Sequence, residues 1–94
     1  NIDDFKIEIK KYDEEKHFVV INLNVLNTIE LRGFTVRYTI TKYSPIYPVW
    51  LVSPPTHMGR NKTAFWIVRI LDSTLWQLLQ RAIVEEAKKY TNLL

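Results

Sequence analysis

The side chains that could carry catalysis are few and widely separated along this chain. Its only histidines are His17 and His57, and His57 has no acidic residue near it in sequence. A nucleophilic site needs a serine, threonine or cysteine beside a histidine that a carboxylate orients. The cluster Asp13, Glu14 and Glu15 lies in a short polar stretch in solvent, which lacks the shielding that an acid–base pair of carboxylates needs. The sequence therefore predicts a protein that is not an enzyme.

Metal and cofactor chemistry lack the necessary residue spacing as well. The chain has no cysteine and two distant histidines, which give no metal-ligand pattern. Gly33 and Gly59 are its only glycines, so it has no glycine-rich loop to cradle a phosphate. We expect no metal, no cofactor and no small-molecule substrate.

Cationic side chains offer a better-supported chemistry, because their distribution is uneven. Residues 31–84 hold seven basic residues and one acid, whereas residues 1–30 are net acidic. A segregated positive field attracts polyanions, although the same charges also serve a solubilising surface. The candidate phosphate contacts are Arg37, Arg60, Lys62, Arg69 and Arg81. Tyr47 and Trp50 are candidate platforms for stacking unpaired bases, although a core position is the more common use of such a tryptophan.

Hydrophobic periodicity predicts the elements that must position these residues. Alternating apolar residues indicate a strand from Phe5, a second from about His17 to Val25 and a third after Gly33. The prolines of the stretch 42–48 predict a loop before a short apolar strand at 49–52. A ten-residue loop, 53–62, then precedes a fifth apolar strand at 64–68.

A C-terminal helix completes the predicted fold. Asp72 or Ser73 can cap it, and apolar residues recur at helical spacing for about 17 residues. The sequence thus predicts a single α+β domain over residues 1–94, an antiparallel sheet of four to five strands followed by one amphipathic helix. No apolar run approaches the roughly 20 residues that span a bilayer, so we expect no membrane association, and the lack of cysteine suits the cytoplasm.

The predicted strands have more apolar surface than one helix can cover. The strands at 49–52 and 64–68 are apolar on both faces, as in strands buried from two sides. We expect a homodimer to bury this surplus; the alternative is packing against loops such as 42–48 within one chain.

The order of these segments resembles the SpoVG family of small bacterial nucleic-acid-binding regulators. The resemblance covers roughly residues 5–90. It is carried by Ile7-Glu8-Ile9-Lys10-Lys11, Phe18-Val19-Val20-Ile21-Asn22-Leu23, Ile29-Glu30-Leu31-Arg32-Gly33-Phe34-Thr35-Val36 and Trp50-Leu51-Val52-Ser53-Pro54-Pro55, then a basic loop, a return strand and the helix. It implies a non-catalytic homodimeric regulator that binds DNA through basic residues, with RNA as an alternative ligand.

One segment departs from the family pattern. In the family, basic residues follow the proline step at once, whereas here Thr56 and His57 follow it and the cations come later, at Arg60 and Lys62. The leading expectation is a homodimeric regulator that binds DNA, single-stranded DNA or RNA. The alternative is a protein-interaction or scaffold module that uses the apolar surplus.

Overall fold

Four antiparallel strands form the main sheet in the order in which they occur along the chain. The computed structural model describes residues 1–90, and for residues 64–66 the backbone alone. After a short 3-10 turn, Ile2–Asp4, the strands are β1 (Phe5–Asp13), β2 (Phe18–Val25), β3 (Ile29–Thr41) and β4 (Ser44–Ser53). A separate two-stranded ribbon, β5 (Thr56–Met58) and β6 (Ala64–Trp66), precedes helix α1 (Ser73–Lys88). The predicted α+β class, an antiparallel sheet followed by a C-terminal helix, is confirmed.

One face of the sheet and one side of α1 form the core. Alternation along β2 and β3 sends every second side chain to this face, and the residues there exclude solvent completely. The fully buried side chains are Val19, Ile21, Leu23, Phe34, Val36, Leu79, Ile83 and Ala87. The helix covers only this face, so the opposite face of the sheet, hereafter the open face, has no helix over it.

A β-bulge lets β3 run through Gly33 instead of starting after it. The register between β2 and β3 shifts between Ile21 and Asn22, which leaves one extra residue on β3. Gly33 has φ +91°, a conformation that glycine adopts without steric cost. The alternation predicted after Gly33 is therefore real, but the strand starts four residues earlier, at Ile29.

The start of β4 also differs from the predicted loop at 42–48. Its pairing with β3 passes from Thr39–Val49 to Thr41–Ser44, so 45–48 protrude opposite Ile40 alone. Pro45 and Pro48 are tolerated because β4 is an edge strand, where missing amide donors break no second ladder.

The segment predicted as a ten-residue loop contains strand β5. Pro54 and Pro55 end β4, and the chain then pairs Thr56–Met58 with β6 in a short antiparallel ribbon. The amide N–H of Ile67 donates to the carbonyl oxygen of Pro55, 2.8 Å away, and closes the base of this ribbon. The predicted fifth strand thus pairs with β5 rather than extending the main sheet.

Helix α1 starts where its sequence signals place it. The Asp72 carboxylate accepts a hydrogen bond from the backbone N–H of Leu75 at 3.0 Å, which satisfies a donor of the first turn. The apolar stripe of the helix packs on the sheet, with Trp76 against Phe34 at 6.3 Å between ring centroids. Within residues 1–90, no helix has the length and apolar character that crossing a membrane requires.

Candidate nucleic-acid interface

Side chains of the open face line up in rows across the four strands, because paired residues of neighbouring strands share a face. Each strand contributes one residue to each row. The first row is Asp13, Phe18, Arg37 and Leu51, and the next is Lys11, Val20, Thr35 and Ser53. The rows bring the guanidinium of Arg37, the ring of Phe18 and the ammonium group of Lys11 to one uncovered surface.

Arg37 and Phe18 form a cation–π pair on this face. The guanidinium carbon of Arg37 lies 5.0 Å from the centroid of the Phe18 ring, within the range of a cation–π interaction. Arg37 is exposed, whereas Phe18 is half-buried. Among the described residues, the ion pairs within 4.0 Å do not include Arg37. The ring therefore supports a positive charge that forms no ion pair with a described carboxylate.

Two more cations lie beside this pair. A shallow depression of about 420 Å³ is lined by Lys11, Asp13, Lys16, Phe18, Arg37, Tyr38 and Thr39. Lys16 is held at its rim by the β1–β2 turn, where its backbone N–H donates to Asp13 Oδ1 at 3.2 Å. Three cations thus surround the depression and Asp13 is its single carboxylate, so the depression favours an anion.

Neighbouring acids neutralise other cations of the sheet, but not these three. Glu8 pairs with Lys10 at 3.6 Å, and Glu30 pairs with Arg32. The hydrogen bond from Arg32, and then its positive charge, lower the pKa of the Glu30 carboxyl. Around the depression, Lys11, Lys16 and Arg37 form no ion pair with a described carboxylate.

Arg37 also lines a second depression. It has a volume of about 400 Å³ and is bounded by Gly33, Thr35, Arg37, Ser53, Pro54, Pro55 and Thr56. The hydroxyls of Thr35 and Ser53 lie in the same row, where they can donate to phosphate oxygens. Arg37 thus stands between two adjacent depressions on the side of the sheet that the helix leaves uncovered.

The ribbon β5–β6 carries Arg60 and Lys62 at its tip. The backbone N–H of Lys62 donates to the Gly59 carbonyl and that of Gly59 to the Thr63 carbonyl, both at 3.0 Å. Lys62 has φ +61°, so the turn is tight and presents both cations to solvent. These two residues form a cationic tip of their own.

Arg69 and Arg81 lie elsewhere. Arg69 is exposed in the segment between the ribbon and α1. Arg81 is exposed on α1 and lines a depression with Trp50 and Val52, on the helix side of the sheet. The sheet separates Arg81 from Arg37, so these predicted contacts do not belong to one surface.

The two predicted stacking platforms have different environments. Trp50 packs against the core and against Tyr38, at 5.1 Å between ring centroids. It occupies the core position that is common for a tryptophan and lies away from the open face. Tyr47 is 75% exposed in the protruding segment of β4 and is free to contact a ligand.

Three residues of the interface were missed from the sequence: Lys11, Lys16 and Phe18. Alternation along this strand puts Phe18 on its less apolar face, together with Val20 and Asn22. The sequence therefore indicates which face of β2 carries Phe18. The pairing of Phe18 with Arg37 comes from the register between β2 and β3.

The remaining histidine and carboxylate groups do not assemble a second kind of site. His17 contacts Tyr38 edge-on at 6.5 Å between ring centroids. In the described part of the chain, no group of three or more histidine, aspartate or glutamate residues has the geometry to hold a metal ion. The open face is therefore the strongest candidate for a functional surface.

Comparison with known proteins identifies no family for this chain. No family model matches the chain, and neither curated proteins nor solved structures yield a match. The resemblance to the SpoVG family stays a prediction from the sequence.

Proposed function

We propose that this protein is a non-catalytic nucleic-acid-binding regulator that contacts phosphates through the open face of its sheet. The observation that carries the proposal is the position of Arg37, unpaired with any described carboxylate, over Phe18 and beside Lys11 and Lys16. Cations that lack an internal partner can release the counterions of a nucleic acid, which is the main source of non-specific affinity.

The ribbon tip supplies a second cationic contact. Arg60 and Lys62 project from a two-stranded ribbon, a shape that can enter the major groove of a duplex. Arg69 and Arg81 add positive charge outside these two surfaces. Tyr47 is an additional stacking contact. The ligand is DNA or RNA, and the protein acts in the cytoplasm as a divergent relative of the SpoVG family.

The proposal includes a homodimer, supported by apolar surface on β4. Val49 and Leu51 are 38% and 42% exposed on the open face, and β4 is an edge of the sheet. An edge strand has unpaired backbone groups on one side, and apolar side chains there favour association with another chain. A second copy would double the positive surface.

Anisotropy titrations test the nucleic-acid proposal. Labelled single-stranded DNA, duplex DNA and RNA are titrated with protein at about 50 mM salt and again at about 200 mM salt. We expect binding that weakens steeply with salt, and a weaker affinity in Arg37→Gln. Lys89→Gln is the matched control, because Lys89 is paired with Glu86 on the helix. Absence of binding at the lower salt would refute the proposal.

A protein-interaction module is the second candidate, favoured by the apolar end of the β3–β4 hairpin. The large side chains exposed there are Ile40, Tyr43, Ile46 and Tyr47, at 56%, 87%, 77% and 75%. Such a cluster is typical of a protein-binding surface. The mass of the native assembly, measured by native mass spectrometry, separates the two candidate functions in part. A stable homodimer accounts for the exposed apolar surface, whereas a monomer favours a different protein as the partner.

A further inference from the structure

Among the side chains that the structure describes there are two cation–π pairs, and they differ in their surroundings. Arg37 lies over Phe18 within the open face, 5.0 Å from the ring centroid. Lys42 lies over Tyr43 at 5.2 Å, at the β3–β4 turn, where Tyr43 is 87% exposed. The first pair shares its depression with two further cations, Lys11 and Lys16.

From this arrangement we infer that the ligand of the open face is a single-stranded nucleic acid, one of whose bases stacks on the guanidinium of Arg37. The inference rests on the proposed nucleic-acid function and specifies its substrate class. The Phe18 ring lies against the guanidinium, and Arg37 is exposed, so a base can reach the guanidinium from solvent. Unpaired bases stack on arginine planes as they do on aromatic rings.

The width of the open face argues against contact with the base edges of a duplex. Four strands spaced about 4.8 Å apart give a face about 14 Å wide between the outer backbones. The major groove of B-DNA is about 12 Å wide and admits a helix or a two-stranded ribbon. A four-stranded face does not fit inside it and can touch only the phosphates of a duplex, whereas unpaired bases can lie flat on a sheet.

The groups around the pair match the other parts of a nucleotide. Lys11 and Lys16 line the same depression as Phe18 and can contact the phosphates on either side of a stacked base. Thr39, on the same wall, offers a hydroxyl to a phosphate or sugar oxygen. The site therefore holds one stacking platform and cations for the flanking backbone, which is the combination that single-strand binding requires.

Three probes of equal length separate stacking from charge: a labelled oligothymidylate, an abasic single strand with the same phosphates and no bases, and a duplex. At low salt we expect the oligothymidylate to bind about tenfold tighter than the abasic strand, the effect of one stacked base. Arg37→Lys keeps the charge and removes the planar platform, and Phe18→Leu removes its support. Both variants should bind oligothymidylate about as weakly as the abasic strand.

Tyr43→Leu is the matched control, because it removes the ring of the other cation–π pair and should leave all three affinities unchanged. Circular dichroism shows whether Phe18→Leu folds. If it does not, Arg37→Lys still tests the stacking, since Arg37 is exposed and its replacement leaves the core intact. Equal affinity for the three probes in the wild type would refute the inference and leave the proposed function standing. Failure to bind any probe would refute the proposed function itself.

Discussion

The side-chain oxygen of Asn22 accepts a hydrogen bond from the backbone N–H of Gly33, 3.2 Å away, at the bulge that joins β2 to β3. Asn22 is the buried polar residue among those described, with 7% of its surface exposed. The bulge removes Gly33 from the regular ladder, so a side chain satisfies its amide instead. This contact holds the register that places Phe18 beside Arg37.

Replacing this acceptor should destabilise the fold. In Asn22→Ala the N–H of Gly33 loses its partner in a partly buried position, which costs about 1–3 kcal/mol of the free energy of unfolding. Urea denaturation followed by tryptophan fluorescence measures the loss. Asn24→Ala, on the same strand, is the comparison; an equal effect in both variants would show that the Asn22 contact is unimportant.

Gly33→Ala tests the backbone rather than the hydrogen bond. A Cβ at this position would meet Pro55 Cβ at 3.8 Å, an ordinary contact, so space is available. The φ of +91° is the obstacle, because L-residues with a side chain pay about 1–3 kcal/mol for sparsely populated conformations. We expect a lower midpoint of thermal unfolding. Gly59→Ala, at a glycine without positive φ, should change it much less.

The two lysines of the open face should affect the salt dependence of nucleic-acid binding. The double variant Lys11→Gln, Lys16→Gln removes two phosphate contacts, so the slope of log K against log salt should become less negative by about 1.4 for a single strand. Anisotropy titrations at several salt concentrations give this slope. An unchanged slope would place the phosphates away from these lysines.

The Glu30–Arg32 pair predicts a local pH dependence. Because the hydrogen bond and charge of Arg32 lower the Glu30 pKa in the folded state, the pair stabilises the protein above the unfolded pKa of glutamate. This contribution is lost as the pH falls through the lower, folded pKa. In Arg32→Gln, a carboxyl titration by NMR should show the Glu30 pKa rising towards its ordinary value. Lys10→Gln should shift it less, since Lys10 is the smaller influence.

The junction between helix and sheet should be sensitive to loss of volume. Ile83 is fully buried within the core formed by β2, β3 and α1. Ile83→Ala leaves a cavity and should reduce the free energy of unfolding by about 2–5 kcal/mol, as measured by urea denaturation. The exposed helix position Arg81→Ala should reduce it by less than about 0.5 kcal/mol.

The elements that local interactions determine are predictable from the sequence. The cap at Asp72 and the apolar stripe behind it lie within one segment, so the helix was predicted almost to the residue. The alternation after Gly33 was equally local. The class of fold followed from the order of such segments.

Features that depend on pairing between strands are not predictable in this way. The bulge at Gly33 needs Asn22, eleven residues away, and the Phe18–Arg37 pair needs the same register. Pro45 and Pro48 read as a loop because nothing in the sequence shows that β4 is an edge strand. The candidate site was therefore predicted in part. Arg37 was among the predicted residues, whereas Lys11, Lys16 and Phe18 were not, and Trp50 packs against the core.

The strand order has a consequence for how the chain acquires its fold during synthesis. Each strand of the sheet pairs with the strand made immediately before it, so the whole sheet can assemble in sequence as residues leave the ribosome. Helix α1 is made after all four strands. Until those last 16 helical residues emerge, the apolar face stays uncovered, and this interval is when a nascent chain is most open to aggregation or to a chaperone.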